Sequence, residues 1–288
     1  MNKVVEHIGS TVTRLPRRPV VLCLALILLV PKAGIGQADA AGASSSQPEL
    51  LWHQASALFP IRVYLPEHFD SERVFPAVIA LHGFGGSSER FGRIGKSFAQ
   101  AGFIAVLPEA PYRVPSADSA RHSTWELSTW TEEYGLGPPL TDDSAVEAQS
   151  ASLTVEDFFP SVIDRIREQY RVGPVYVFGF SLGGVYALVT GFYNRDQVDG
   201  IIAFGATYYR ELFTAQGDRL EDGNRLPIRL ALGRSDPMVP LSNAEQARDA
   251  FEEAGYEVVL DEFDGGHAVP DDALMRAVNW LRDLANRR

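Results

Sequence analysis

The chain has 288 residues, 45% hydrophobic and 22% charged, with a net charge of −11. That is a globular balance, enough for one large core or two small ones, and no repeat period appears, which excludes a solenoid or propeller. The acidic excess argues against nucleic acid or an anionic membrane as the main partner.

The first forty residues differ from the rest. Arg14, Arg17 and Arg18 precede an uncharged apolar run, Val20 to Val30. It is shorter than the roughly 17 to 25 residues a spanning helix needs. Small residues and an A-x-A pattern, Ala38-Asp39-Ala40, follow it. This predicts a signal peptide over residues 1–40, with cleavage near Ala40 and export to the periplasm or beyond. The alternative is a membrane anchor formed by residues 20–30. Loss of residues 1–40, with five Lys/Arg and two Asp/Glu, leaves a net charge of −14. It also removes Cys23, the only cysteine, so neither a disulfide nor thiolate chemistry is expected. The histidines show no metal-ligand spacing, and neither a metal nor a cofactor is predicted.

Residues 41–48 read as a flexible lead-in. From residue 49 to 288, short apolar strands alternate with helical patterns. The candidate strands are Ile61–Leu65, Ala77–Leu81, Ile104–Leu107, Val175–Phe178, Ile201–Phe204, Ile228–Leu232 and Glu257–Leu260. Several are continuous apolar runs, as expected of parallel strands covered on both faces. Phe91, Ile94 and Phe98 keep helical spacing. A longer stripe runs from Val155 through Phe159 and Ile163 to Ile166, with Thr154 and Asp157 as a capping pair and Pro160 in its first turns. Ser242 and Glu245 suggest a capping box before a helix that Gly255 closes. A last helix from about Asp271 to Ala285 buries Leu274, Val278 and Leu281. The alternation predicts an α/β fold: one domain, a mostly parallel sheet of about seven strands, helices on both faces. Residues 113–153 are a long, polar, turn-rich insertion, the kind of segment that shapes access to a site.

Within that frame, Gly179-Phe180-Ser181-Leu182-Gly183 matches G-x-S-x-G, entered from an apolar strand and left by a helical stretch. That is the setting of a nucleophile elbow. Glycines allow the sharp turn, and a helix N-terminus beside the hydroxyl favours developing negative charge. A serine needs a base to take its proton. His267, in the glycine-flanked loop Asp264-Gly265-Gly266-His267, lies after the last strand and suits that role. The imidazole needs an orienting carboxylate, for which Asp236 stands after the Ile228–Leu232 strand. Asp264 is a rival, three residues from His267. An oxyanion hole requires two N–H donors: Leu182, next to the serine, and Phe84, in the glycine-rich Leu81-His82-Gly83-Phe84-Gly85-Gly86. His82 is expected to buttress that loop, and the Pro108-Glu109-Ala110-Pro111 turn to build the pocket rim rather than donate protons. Phe84, Trp125, Trp130 and Met238 are candidates for lining the substrate pocket, and the two tryptophans read equally as core fillers.

Five pieces, "LHGFGG", "LPEAPYR", "FGFSLGG", "LGRSDPMVP" and "FDGGHAVP", follow in order across about residues 60–285. Together they resemble the α/β-hydrolase superfamily, and more closely its phospholipase/carboxylesterase-type serine esterases. The resemblance implies Ser181, Asp236 and His267 as a triad, and the Phe84 and Leu182 amides as the hole. Two positions depart from it: Leu182 replaces a common glutamine and Gly86 a frequent acidic residue. Dienelactone-hydrolase-like proteins share the layout but usually carry cysteine at the position of Ser181. The expectation is a secreted serine hydrolase of carboxylic esters, of small-molecule or lipid type. An acyltransferase, a dienelactone-hydrolase-like enzyme and a non-catalytic binding module on the same scaffold are the alternatives.

Overall fold

The computed structural model describes residues 59–113, 123–125, 155–214, 220 and 225–287. The proposed signal peptide, the lead-in, most of the insertion including Trp130, and the Thr154 cap lie outside the described residues.

Seven strands form one sheet in the order β1-β3-β2-β6-β7-β8-β9. They are β1 (Ile61–Tyr64), β2 (Phe75–Leu81), β3 (Ile104–Pro108), β6 (Val172–Phe180), β7 (Gly200–Phe204), β8 (Ile228–Gly233) and β9 (Val258–Phe263). Only the β1–β3 pairing is antiparallel; the other five are parallel. A separate two-stranded ribbon, β4 (Tyr112–Arg113) with β5 (Ser123–Thr124), opens the insertion.

The sheet is covered on both sides, and the side-chain alternation along each strand shows why. Ala77, Ile79, Val175, Val177, Ile201 and Ile228 pack into one core. Their neighbours Val78, Ala80, Tyr176, Phe178, Ile202 and Phe204 pack into the other. A strand buried on both faces has no polar alternation to display, hence the continuous apolar runs. The first core is closed by α2 (Val155–Gln169), α3 (Leu182–Tyr193) and α5 (Leu241–Glu253). The second is closed by α1 (Gly92–Gln100) through Ile94 and Phe98, and by α6 (Asp271–Asn286) through Leu274, Val278 and Leu281. A short α4 (Glu211–Thr214) follows β7. All parallel strands run the same way, so the loops leaving β2, β3, β6, β7, β8 and β9 gather at one edge of the sheet, where such folds place ligands.

One local expectation is corrected. Ser242 does not cap α5: the helix begins at Leu241, with Pro240 in extended conformation (ψ 142°) as the cap residue. Leu241 packs against the Leu232, Val239 and Ala244 cluster. That apolar contact sets the helix start ahead of the serine. Gly255 does close the helix, at φ 83°, with its N–H on Glu252 O at 2.8 Å.

Candidate active site

Ser181 stands between the end of β6 and the start of α3, with φ 56° and ψ −123°. Among the described residues it is the only non-glycine with positive φ, a conformation that costs on the order of 1–3 kcal/mol. The surroundings over-determine it. The Ser181 N–H donates to Phe204 O on β7 at 2.8 Å. Its carbonyl accepts from Gly184 and Val185 N–H at 2.8 and 3.1 Å, opening the helix. No side chain fits the corner: a Cβ on Gly179 would lie 1.9 Å from Gly183 O, and one on Gly183 would lie 2.3 Å from Leu81 O. The glycines of the motif therefore let α3 press onto the ends of β6 and β2.

Two other loops reach this corner. His267 Nε2 lies 2.8 Å from Ser181 Oγ, and His267 Nδ1 lies 2.8 Å from Asp236 Oδ2. A carboxylate accepts only, so Nδ1 carries the proton and Nε2 is left as the acceptor for the serine O–H. The other Asp236 oxygen accepts from the N–H groups of Met238 and Val239, at 2.8 and 3.0 Å. The side chain of Asp236 is 1% exposed and that of His267 is 20% exposed. Burial pushes the Asp236 carboxyl up; the His267 hydrogen bond and the two backbone donors outweigh it and hold it below the usual carboxylate range. The loops are laced together, with Arg234 N–H on Phe263 O and Ser235 N–H on Gly265 O, both 2.9 Å. The His267 ring leans on Phe180, centroids 4.9 Å apart. Beneath it lies Gly205 at φ 56°, where a Cβ would come within 3.0 Å of His267 Cε1.

The loop after β2 supplies the remaining pieces. Gly86 N–H closes on Gly83 O at 3.0 Å, a tight turn whose third residue, Gly85, has φ 64°. Among the described residues, the Phe84 N–H has no backbone acceptor. Gly83 packs beside the serine, since a Cβ there would meet Ser181 Cβ at 3.3 Å. Leu182 is the first residue of α3, and its N–H has no intrahelical acceptor. These are the two amides the sequence singles out as oxyanion donors.

His82 is tied to Gly83 and Ala110. It is 1% exposed. Its Nδ1–H donates to Gly83 O at 2.8 Å, and its Nε2 accepts from Ala110 N–H at 3.3 Å. Burial lowers its pKa, opposed by the Gly83 bond and the nearby Glu109 charge, and a ring nitrogen that accepts from an N–H carries no proton. The rival carboxylate, Asp264, is 95% exposed and pairs with Arg234 at 2.7 Å. Of its two readings, pocket lining and core, Trp125 takes the core: it is 3% exposed. Its Nε1–H donates to His82 O at 2.7 Å, and its rings meet those of His82, Tyr186 and Phe158. A side chain so enclosed supports the loop after β2 and offers little surface to a ligand. Phe84 and Met238 are exposed, at 66% and 71%. The turn after β3 carries a bond that the sequence does not announce: Glu109, 7% exposed, accepts from both the N–H and the Oγ–H of Ser88, at 2.9 and 2.6 Å. The sequence assigns this turn to the pocket rim, whereas the Glu109 side chain is buried against Ser88.

Among the described residues, no three His, Cys, Asp or Glu side chains cluster to hold a metal, and no helix is long and apolar enough to cross a membrane.

Comparison with known proteins places these observations. The family model for phospholipase/carboxylesterase matches residues 70–285. An acyl-protein thioesterase 1 of Neurospora crassa is 24% identical over 186 residues, 64% of this chain and 73% of that protein. The esterase YpfH of Escherichia coli is 25% identical over 211 residues, 71% of this chain and 81% of the relative. Among solved structures, esterase PE8 superposes with a TM-score of 0.59 at 21% identity, covering 79% of this chain and all of that one. That last likeness shows the fold.

Proposed function

Because the chain belongs to the phospholipase/carboxylesterase family of α/β-hydrolases, an enzyme family, we propose that it cleaves carboxylic esters through an acyl-enzyme on Ser181. One observation carries this reading: Ser181, His267 and Asp236 form a hydrogen-bonded relay, each link 2.8 Å.

The chemistry follows from that relay. Ser181 Oγ adds to the ester carbonyl carbon while His267 Nε2 takes its proton. Asp236 keeps the Nδ1–H tautomer and stabilises the imidazolium. The Phe84 and Leu182 N–H groups receive the negative oxygen of the tetrahedral intermediate. The intermediate collapses, the C–O bond to the alcohol breaks, and His267 returns the proton to the leaving alkoxide. Water then attacks the acyl-serine with His267 again as base, and the carboxylic acid leaves. A thioester, the bond in the name of the Neurospora relative, would pass through the same acyl-enzyme.

The exposed apolar side chains of Phe84 and Met238, on the loops after β2 and β8, suit an ester with an apolar acyl or alcohol portion. The candidate substrates are small soluble esters and lysophospholipids. Export rests on the basic residues, the short apolar run and the A-x-A site of residues 1–40; N-terminal sequencing of the protein from fractionated cells tests it, an intact Met1 contradicting cleavage.

The functional test is a panel of p-nitrophenyl acyl esters, lysophospholipid and acyl thioester, with parent and Ser181→Ala proteins. The proposal expects turnover by the parent and a loss of at least about a thousandfold in the variant. Parent-level turnover by Ser181→Ala ends it. Products formed in the presence of competing alcohols separate hydrolysis from acyl transfer.

A further inference from the structure

The donor turn Gly83–Gly86 is held at both ends, and both holds lead to the same place. On its N-terminal side, His82 accepts from the Ala110 N–H. On its C-terminal side, Ser88 gives its N–H and its hydroxyl to the carboxylate of Glu109. Glu109 and Ala110 are adjacent, just past the end of β3, and the Glu109 N–H is itself fixed to Pro60 O at 2.9 Å. Ser88 is 1% exposed and Glu109 7%. A carboxylate held this far from water carries a desolvation cost that its hydrogen bonds must offset. What it does supply is geometry, because one oxygen receives two donors of a single residue and so fixes that residue's backbone and side chain together.

We propose that Glu109 is a positioning residue: through Ser88 it sets the placement of the Phe84 N–H that receives the oxyanion. The inference rests on the serine-hydrolase reading of the site. The turn is short, four residues from Gly83 to Gly86, with Ser88 two residues beyond. A shift at Ser88 is therefore passed to Phe84 with little chain to absorb it. The Phe84 amide matters only once negative charge develops on the carbonyl oxygen. Loss of the Glu109 hold thus lowers kcat and leaves ground-state binding alone.

The test compares Glu109→Met, which keeps length and removes both acceptors, with Glu109→Gln, which restores one acceptor oxygen. Ser88→Ala, the Ser88→Ala/Glu109→Met double variant and Ser181→Ala complete the set. Each is assayed for kcat and KM on a p-nitrophenyl acyl ester, with circular dichroism to establish folding. The expected result is a fall in kcat of about tenfold or more for Glu109→Met, with KM within about threefold. Glu109→Gln recovers part of the loss, and the double variant is no worse than Glu109→Met alone. If Ser181→Ala is inactive but folded Glu109→Met and Ser88→Ala keep kcat within twofold of the parent, the inference fails and the serine reading stands. Additive losses in the double variant also overturn it. If Ser181→Ala retains parent activity, the serine reading fails and takes the inference with it. Should Glu109→Met not fold, Ser88→Ala alone decides by the same kcat criterion.

Discussion

Replacing Asp236 by asparagine changes one atom and inverts a proton. In the structure one carboxylate oxygen accepts from the Met238 and Val239 N–H groups, and the other accepts from His267 Nδ1–H. Asparagine has one acceptor and one donor end. Two backbone donors already occupy the first position, so the amide oxygen must lie there and the NH₂ must face His267. Nδ1 then becomes an acceptor, the proton moves to Nε2, and Nε2 presents N–H to Ser181 Oγ. The base is lost while the packing is kept. The expected fall in kcat is on the order of a thousandfold to ten-thousandfold, which is about 4–5.5 kcal/mol of transition-state stabilisation. The assay is steady-state hydrolysis of a p-nitrophenyl acyl ester at neutral pH, with thermal unfolding run beside it. A folded Asp236→Asn protein whose kcat stays within tenfold of the parent would refute the tautomer argument.

Three further outcomes follow from the same geometry. The Asp236 carboxyl is held below its ordinary pKa, its burial being outweighed by the His267 and backbone hydrogen bonds. Its stabilisation is therefore complete above the unfolded carboxyl value and is lost as pH falls through the lowered folded one. The difference in Tm between parent and Asp236→Asn should shrink across that acidic window; a difference that is constant with pH speaks against it. Gly183→Ala would place a Cβ 2.3 Å from Leu81 O and 2.4 Å from His82 O. Since backbone cannot step aside, a loss of about 1–3 kcal/mol or more is expected in urea unfolding, with activity falling alongside; an unchanged midpoint contradicts the packing of α3 on β2. Phe178→Ala empties a site that is 0% exposed and ringed by Phe91, Phe98 and Phe204. It should cost about 3–5 kcal/mol in the same assay, and a loss below about 1 kcal/mol would contradict that core.

How much of this was legible in the sequence depends on how local the cause is. The strands were legible because burial on both faces leaves an uninterrupted apolar run, as in Ala77–Leu81 and Ile201–Phe204. The corner at Ser181 was legible because only glycine tolerates what Gly179 and Gly183 face, and their spacing records it. His267 and Asp236 could be singled out as chemical types on loops of the right kind, though nothing in their sequence neighbourhood states that both lie 2.8 Å from their partners. The misses share a cause. Ser242 carries a capping pattern, but the Leu241 contact, a tertiary effect, sets the helix start. Trp125 reads equally as pocket or core, and its position under His82 follows from a hydrogen bond across 43 residues of chain. Glu109 and Ser88 are 21 residues apart, and neither sits in a spacing that announces the bond.

The proposed chemistry requires the Ser181 hydroxyl to be a nucleophile. Intact-mass spectrometry after exposure to a fluorophosphonate, with peptide mapping of the adduct, measures this directly. The account predicts one phosphonyl group per chain, carried by Ser181, formed slowly or not at all in Asp236→Asn and absent in Ser181→Ala. A folded, ester-cleaving protein that takes no label, or takes it on another residue, would contradict it.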